Sequence, residues 1–158
     1  MKLLGAMLIL ALAIPALWRV RWAYVLFAVL GLLYLPATIG FRLDPQRCDF
    51  EFGGSVIVHS LSNYSHIVLF AFFFLVTARQ FRSPGWHALG WSVGLTMAMG
   101  AAIEITEGIS GLHHCKAGDL VPDLIGALLG VAILLLARAL LSRRNPDNGA
   151  LRENRPVR

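Results

Sequence analysis

The sequence predicts an all-α integral membrane protein: a helical bundle of about five transmembrane helices forming a single multi-pass domain over residues 1–141. Three observations lead there. Of 158 residues, 57% are hydrophobic and 15% charged, against about 25% charged in an ordinary soluble domain. A soluble core of this length leaves about a third of the unfolded chain's surface exposed, too little burial for so much apolar area. The apolar residues also fall in long runs bounded by Arg, Trp, Pro and Gly, as spans in a bilayer do.

The first run, Leu3–Trp18, is short for a span and carries Pro15 near its end. A cleaved signal peptide competes with an uncleaved helix here, but Trp18, Arg19 and Arg21 make a poor small-residue cleavage site. Trp22–Phe41 follows as a comfortable second span. Arg42–Ser62 is a polar loop containing Cys48 and a short apolar insert, Val56–Val58. The third helix, Asn63–Thr77, is closed by Arg79 and Arg82; the fourth is Trp86–Ile109 and the fifth Asp119–Leu141. Residues 142–158 are polar and aperiodic, and are expected to form a disordered basic tail.

Basic residues choose the orientation. With the N-terminus outside, the inner loops and tail hold ten of the fourteen Lys and Arg residues, leaving Lys2, Arg42, Arg47 and Lys116 outside. N-out/C-in is therefore expected, in a plasma (inner) membrane, with the tail cytoplasmic. The arginines beside apolar runs are topological signals, so the net charge of +5 does not indicate nucleic acid; the lipid bilayer is the partner.

Acidic residues are distributed unevenly. Of nine in the chain, Glu104, Glu107, Asp119 and Asp123 lie within twenty positions. Glu104 and Glu107 are three apart and share a helix face with Gly100; Asp119 and Asp123 are four apart, on a stripe continued by Gly126 and Gly130. Small residues let helices approach closely, so helices four and five are expected to pack through these stripes and draw four carboxylates into one pocket. Acids inside spans face protein or a watery cavity, because lipid exposure is costly. Asp119 also suits an N-cap, with Pro122 in the first turn; Asp123 lies too deep to cap.

The predicted orientation brings His66, His113, His114 and Lys116 to the same outer side as these acids. His66 reads either as a hydrogen-bonded interface residue or as an acid/base. The His113-His114-Cys115-Lys116 run fits no zinc spacing. Cys48 and Cys115, the two cysteines, both fall outside, where a disulfide between the loops is an option and a pair of free thiols the alternative. Trp18, Trp22, Trp86 and Trp91 mark helix ends as an interfacial belt does, and Phe70, Phe72, Phe73 and Phe74 are packing or lipid-facing material.

Residues of about 60–135 resemble the VanZ-like family of membrane proteins. That family carries D-K-x-x-H at a helix start, then E-x-x-Q late in a following helix, then D-x-x-x-N-x-x-G-x-x-x-G opening the last. Glu104-Ile-Thr-Glu107 is similar to the second motif, and Asp119, Asp123, Gly126 and Gly130 keep the spacing of the third. His66 resembles the histidine of the first. Glu107 stands in place of Gln and Asp123 in place of Asn, while Ser62 and Asn63 replace the Asp and Lys of the first motif. The family's loop Arg is absent, and His113 or Lys116 is the nearest basic substitute. The resemblance implies a cell-envelope protein of a family known from glycopeptide resistance and associated with teicoplanin; it implies no particular reaction.

Three functions are expected to compete. The first is an outward-facing acidic pocket that binds a lipid-linked or amphiphilic envelope ligand, such as a lipid-linked cell-wall intermediate. The second is an enzyme in which Glu104, Glu107, Asp119 and Asp123 hold Mg²⁺ or another divalent cation. It would act on a lipid phosphate or lipid-linked sugar, with His66 and Glu104 at the reaction and Lys116 reaching a phosphate. The third is a cation-coupled transporter. It is disfavoured because Arg138 is the one charged residue in the inner half of any span.

Overall fold

A computed structural model of the chain describes residues 2–39, 61–82, 85–110 and 115–144, together with Pro45, Gly54 and Val58. Among the described residues the protein is all-helical. Its α-helices are α1 (Lys2–Leu17), α2 (Arg21–Ile39), α3 (Tyr64–Arg79), α4 (Trp86–Ser110) and α5 (Leu120–Arg144), with a 3-10 turn, Ala117–Asp119, leading into α5. Each expected apolar run is a helix. The last extends three residues past its expected end, and Arg143 in its last turn suits a helix C-terminus, where cations complement the backbone dipole. The expected polar loop and tail lie largely outside the described residues, as do Cys48, His113 and His114.

Among the described residues, two stretches are long and apolar enough to cross a membrane: α4, with 25 residues, and the 27-residue segment Ala117–Arg143. Leu3–Leu17 and Tyr64–Arg79 are shorter apolar helices, and α2 has 19 residues. At 1.5 Å per residue, a helix of sixteen residues such as α1 or α3 covers about 24 Å, less than the roughly 30 Å of a hydrocarbon core.

The turn between α1 and α2 is made by the backbone. Val20 N–H donates to Pro15 C=O at 3.1 Å and Arg19 N–H to Ala16 C=O at 2.8 Å, the paired bonds of a Schellman cap. The left-handed position of such a cap is usually glycine. Here it is Arg19, with φ 68°, a conformation that costs an L-residue with a side chain about 1–2 kcal/mol. Neighbouring side chains then close the α1 end: Gln80 Nε2 donates to Ala16 C=O at 2.6 Å and Arg79 Nε to Leu17 C=O at 3.3 Å. These bonds satisfy carbonyls that a helix end leaves without partners.

Small residues set the packing of α1 on α2. Ala13 and Ala16 of α1 and Ala23 of α2 are buried with Phe27 against Phe73 and Val76 of α3. Phe27 stacks on Phe73 with ring centroids 5.6 Å apart, and Tyr24 Oη pairs with Thr77 Oγ1 at 3.1 Å. Phe70, Phe73 and Phe74 are therefore core residues rather than lipid-facing ones.

The closest helix pair is α3 with α5, which differs from the expected pairing of helices four and five through glycine stripes. A Cβ on Gly126 would stand 2.5 Å from Ile67 O, and one on Gly130 would stand 2.5 Å from Phe74 Cδ1. Both glycines thus face α3, where only hydrogen leaves room for the opposing backbone and ring. Gly100 of α4 does face α5: a Cβ there would lie 2.5 Å from Asp123 Oδ2. The helix carrying the phenylalanine run enters the groove of Gly126 and Gly130, while Gly100 of α4 keeps its contact with α5.

Candidate functional site

The ends of three helices meet at one end of the bundle. His66 lies in the first turn of α3, Glu104 in the last third of α4, and Asp123 in the first turn of α5. Gly126 lets α3 close on α5 one turn beyond Asp123, and Gly100 leaves the space that the Asp123 carboxylate occupies. These two glycines place an acid and a histidine from helices 57 residues apart in sequence within bonding distance.

Asp123 is 1% exposed and Glu104 5%. Each carboxylate has a specific partner, as buried charge requires. His66 Nδ1 lies 3.0 Å from Asp123 Oδ1, and donates to it as the Nδ1–H tautomer or as imidazolium. With Nδ1 committed, Nε2 is the ring nitrogen left for a ligand. The imidazole also lies nearly parallel to the ring of Phe70, with centroids 6.1 Å apart, which helps fix its orientation. Glu104 Oε2 accepts the backbone N–H of Lys116 at 2.9 Å, so a buried acid of α4 anchors the chain entering the 3-10 turn.

His66, Glu104, Asp119 and Asp123 are close enough to interact through their charges, and Glu107 acts on Glu104 in the same way. Glu107 is half-buried, Asp119 ends the 3-10 turn immediately before α5, and Lys116 is exposed. The four carboxylates share one end of the molecule without forming a ligand set. Among the described residues no three of His, Cys, Asp and Glu are arranged to hold one ion. Mg²⁺ demands converging oxygens in near-octahedral array. Here Glu104 is bonded to a backbone amide, while Asp123 is bonded to His66 and pressed against Gly100. Among the described residues, Glu104, Glu107, Asp119 and Asp123, expected to hold a divalent cation, do not group as ligands to one ion.

Cys115 is buried and disulfide-bonded. The sequence contains one other cysteine, Cys48, which lies outside the described residues. Cys115 directly precedes Lys116, so the bond ties down the segment whose amide holds Glu104. His113 and His114, proposed for the pocket, lie outside the described residues.

An apolar cavity of about 440 Å³ opens beside this cluster, between α1, α2, α3 and α4. Leu10, Phe27, Leu69, Phe73, Met99 and Ile103 are among its walls, and His66, Ser65 and Tyr34 provide its polar groups. Sequence patterns identified His66 but not the walls. Gly31 and Met99 sit in apolar stretches of α2 and α4 with no sequence pattern that pairs them, and a Cβ on Gly31 would reach 3.4 Å from Met99 Cε. Only the docking of the α1–α2 hairpin on α3 and α4 makes them neighbours. Comparison with family models, curated proteins and solved structures finds no match to this chain.

Proposed function

We propose that this is a multi-pass cell-envelope membrane protein, N-out/C-in and VanZ-like, that binds an amphiphilic ligand with its chain between the helices and its head group at His66. The observation that carries this proposal is the 440 Å³ cavity, whose walls are apolar and whose polar groups include the imidazole paired with a buried carboxylate. Ligand sites are commonly apolar with a few placed polar groups. Among the described residues, the surplus of carboxylate over cation at this end favours a head group that donates hydrogen bonds, such as sugar hydroxyls or an amine, over a bare phosphate. A lipid-linked amino sugar of the cell wall has that chemistry. Shorter helices are accommodated in a bilayer by local thinning and by anchors such as the Trp and Arg residues at their ends.

The test is photocrosslinking with a diazirine-bearing alkyl glucosaminide in phosphatidylcholine vesicles. Label is expected on peptides containing Leu69, Met99 and Ile103, with unlabelled alkyl glucosaminide competing better than alkyl phosphate. Gly31→Trp, which fills the cavity, should abolish labelling, and His66→Ala should weaken it. Labelling indifferent to both substitutions, or better competed by alkyl phosphate, sinks the proposal.

A further inference from the structure

At the opposite end of the bundle the structure brings together charges of the other sign. Arg19, Arg21, Gln80 and Arg82 line a cavity of about 560 Å³. An adjoining cavity of about 440 Å³ shares Arg19 and Arg82, adds Arg79 and Arg138, and continues over apolar wall supplied by Phe81, Leu89, Leu134 and Leu141. No carboxylate lines either cavity among the described residues. Like charges gathered in this way repel, and an anion bound among them offsets that repulsion.

Two details show that the gathering is built. Arg19 occupies the left-handed position of the α1 cap, where glycine would be unstrained, and its guanidinium is what the strain brings to the cavity. Gln80 is pinned by two bonds from Nε2, to Ala16 C=O at 2.6 Å and Val76 C=O at 3.1 Å, so its amide plane is fixed beside the arginines.

We propose that this arginine-lined cavity binds the phosphate head of an anionic phospholipid from the adjacent leaflet, one acyl chain lying along the apolar wall. Guanidinium groups offer planar paired donors that suit phosphate oxygens. The continuous apolar wall is what separates a lipid from free phosphate as the source. Trp18, Trp22 and Trp86 are exposed at this end, at the level where indole rings sit among head groups. The site is independent of the His66 cavity, which lies at the other end of α3.

The four tryptophans of the sequence, all near this end, report on it directly. The full chain is reconstituted in phosphatidylcholine vesicles containing brominated phosphatidylglycerol or, as reference, brominated phosphatidylcholine, and tryptophan quenching is measured against mole fraction. Brominated phosphatidylglycerol is expected to be preferred at least fivefold, and Arg82→Gln to reduce that preference about fivefold, a typical contribution for one basic residue near an anionic surface. Arg19→Gly should lose the preference comparably while raising thermal stability in zwitterionic lipid, because it relieves the backbone while removing the charge. Equal quenching by the two lipids overturns the proposal, as does an unchanged preference in both variants. Competition by millimolar inorganic phosphate identifies the source as a free anion and overturns the lipid assignment.

Discussion

The two ends of the bundle treat charge in opposite ways. At the His66 end the carboxylates of Glu104 and Asp123 are buried, and each is bonded to a group of the protein itself. At the arginine end the charged groups line open cavities with no carboxylate among the described residues of the linings. Buried charge is tolerated only with a fixed partner, so the acids are part of how three helices are held together. Charge lining an open cavity adds little to folding. Carboxylates therefore hold helices together at one end, while arginines line open cavities at the other.

The sharpest way to break that contrast is His66→Ala. It strips a 1%-exposed carboxylate of its partner and should cost about 3 kcal/mol of stability, measured by reversible unfolding in mixed micelles. Adding Asp123→Asn should restore most of the loss, because no unpaired charge is then left; a purely additive double variant would mean the two groups are not coupled. Next in size is Gly126→Leu. Its side chain meets the backbone of Ile67 and should cost about 2 kcal/mol through overpacking, together with loss of alkyl glucosaminide labelling as His66 is displaced.

Glu104→Ala removes the acceptor for Lys116 N–H and should cost about 1.5 kcal/mol, in the range of a hydrogen bond to a charged group. Glu104→Gln should retain most of that stability, since the amide oxygen still accepts. Mg²⁺ should shift the melting temperature of neither wild type nor these variants; stabilisation by Mg²⁺ that disappears with Glu104→Gln would reinstate a metal at the acidic end. The smallest effects belong to the arginine end. Arg21→Gln and Arg82→Gln should change stability in zwitterionic detergent by less than about 0.5 kcal/mol, and a loss like that of His66→Ala would erase the distinction between the ends.

Much of this architecture was legible in one dimension. Apolar runs are the direct imprint of helices, so the five elements lay within a few residues of their expected ends. The spacing of Glu104 and Asp123 from Gly100 and Gly126 marked them as facing protein. The choice of partner was not legible. A glycine stripe announces that something will come close without saying what, and it was α3, with Phe70 and Phe74, rather than α4 that entered the groove of Gly126 and Gly130.

By itself the sequence determined the helical class, the crowding of acids into one segment, and the concentration of arginine and tryptophan near helix ends, because each is a matter of local composition and period. Tertiary structure alone decided that Asp123 pairs with His66 while Glu104 binds an amide. It also decided that four apolar helices leave a cavity beside the imidazole, and that arginines from two turns and α5 line adjoining cavities. Those outcomes depend on which helix faces which, and that is settled by side-chain shape across distances in sequence over which no local pattern extends.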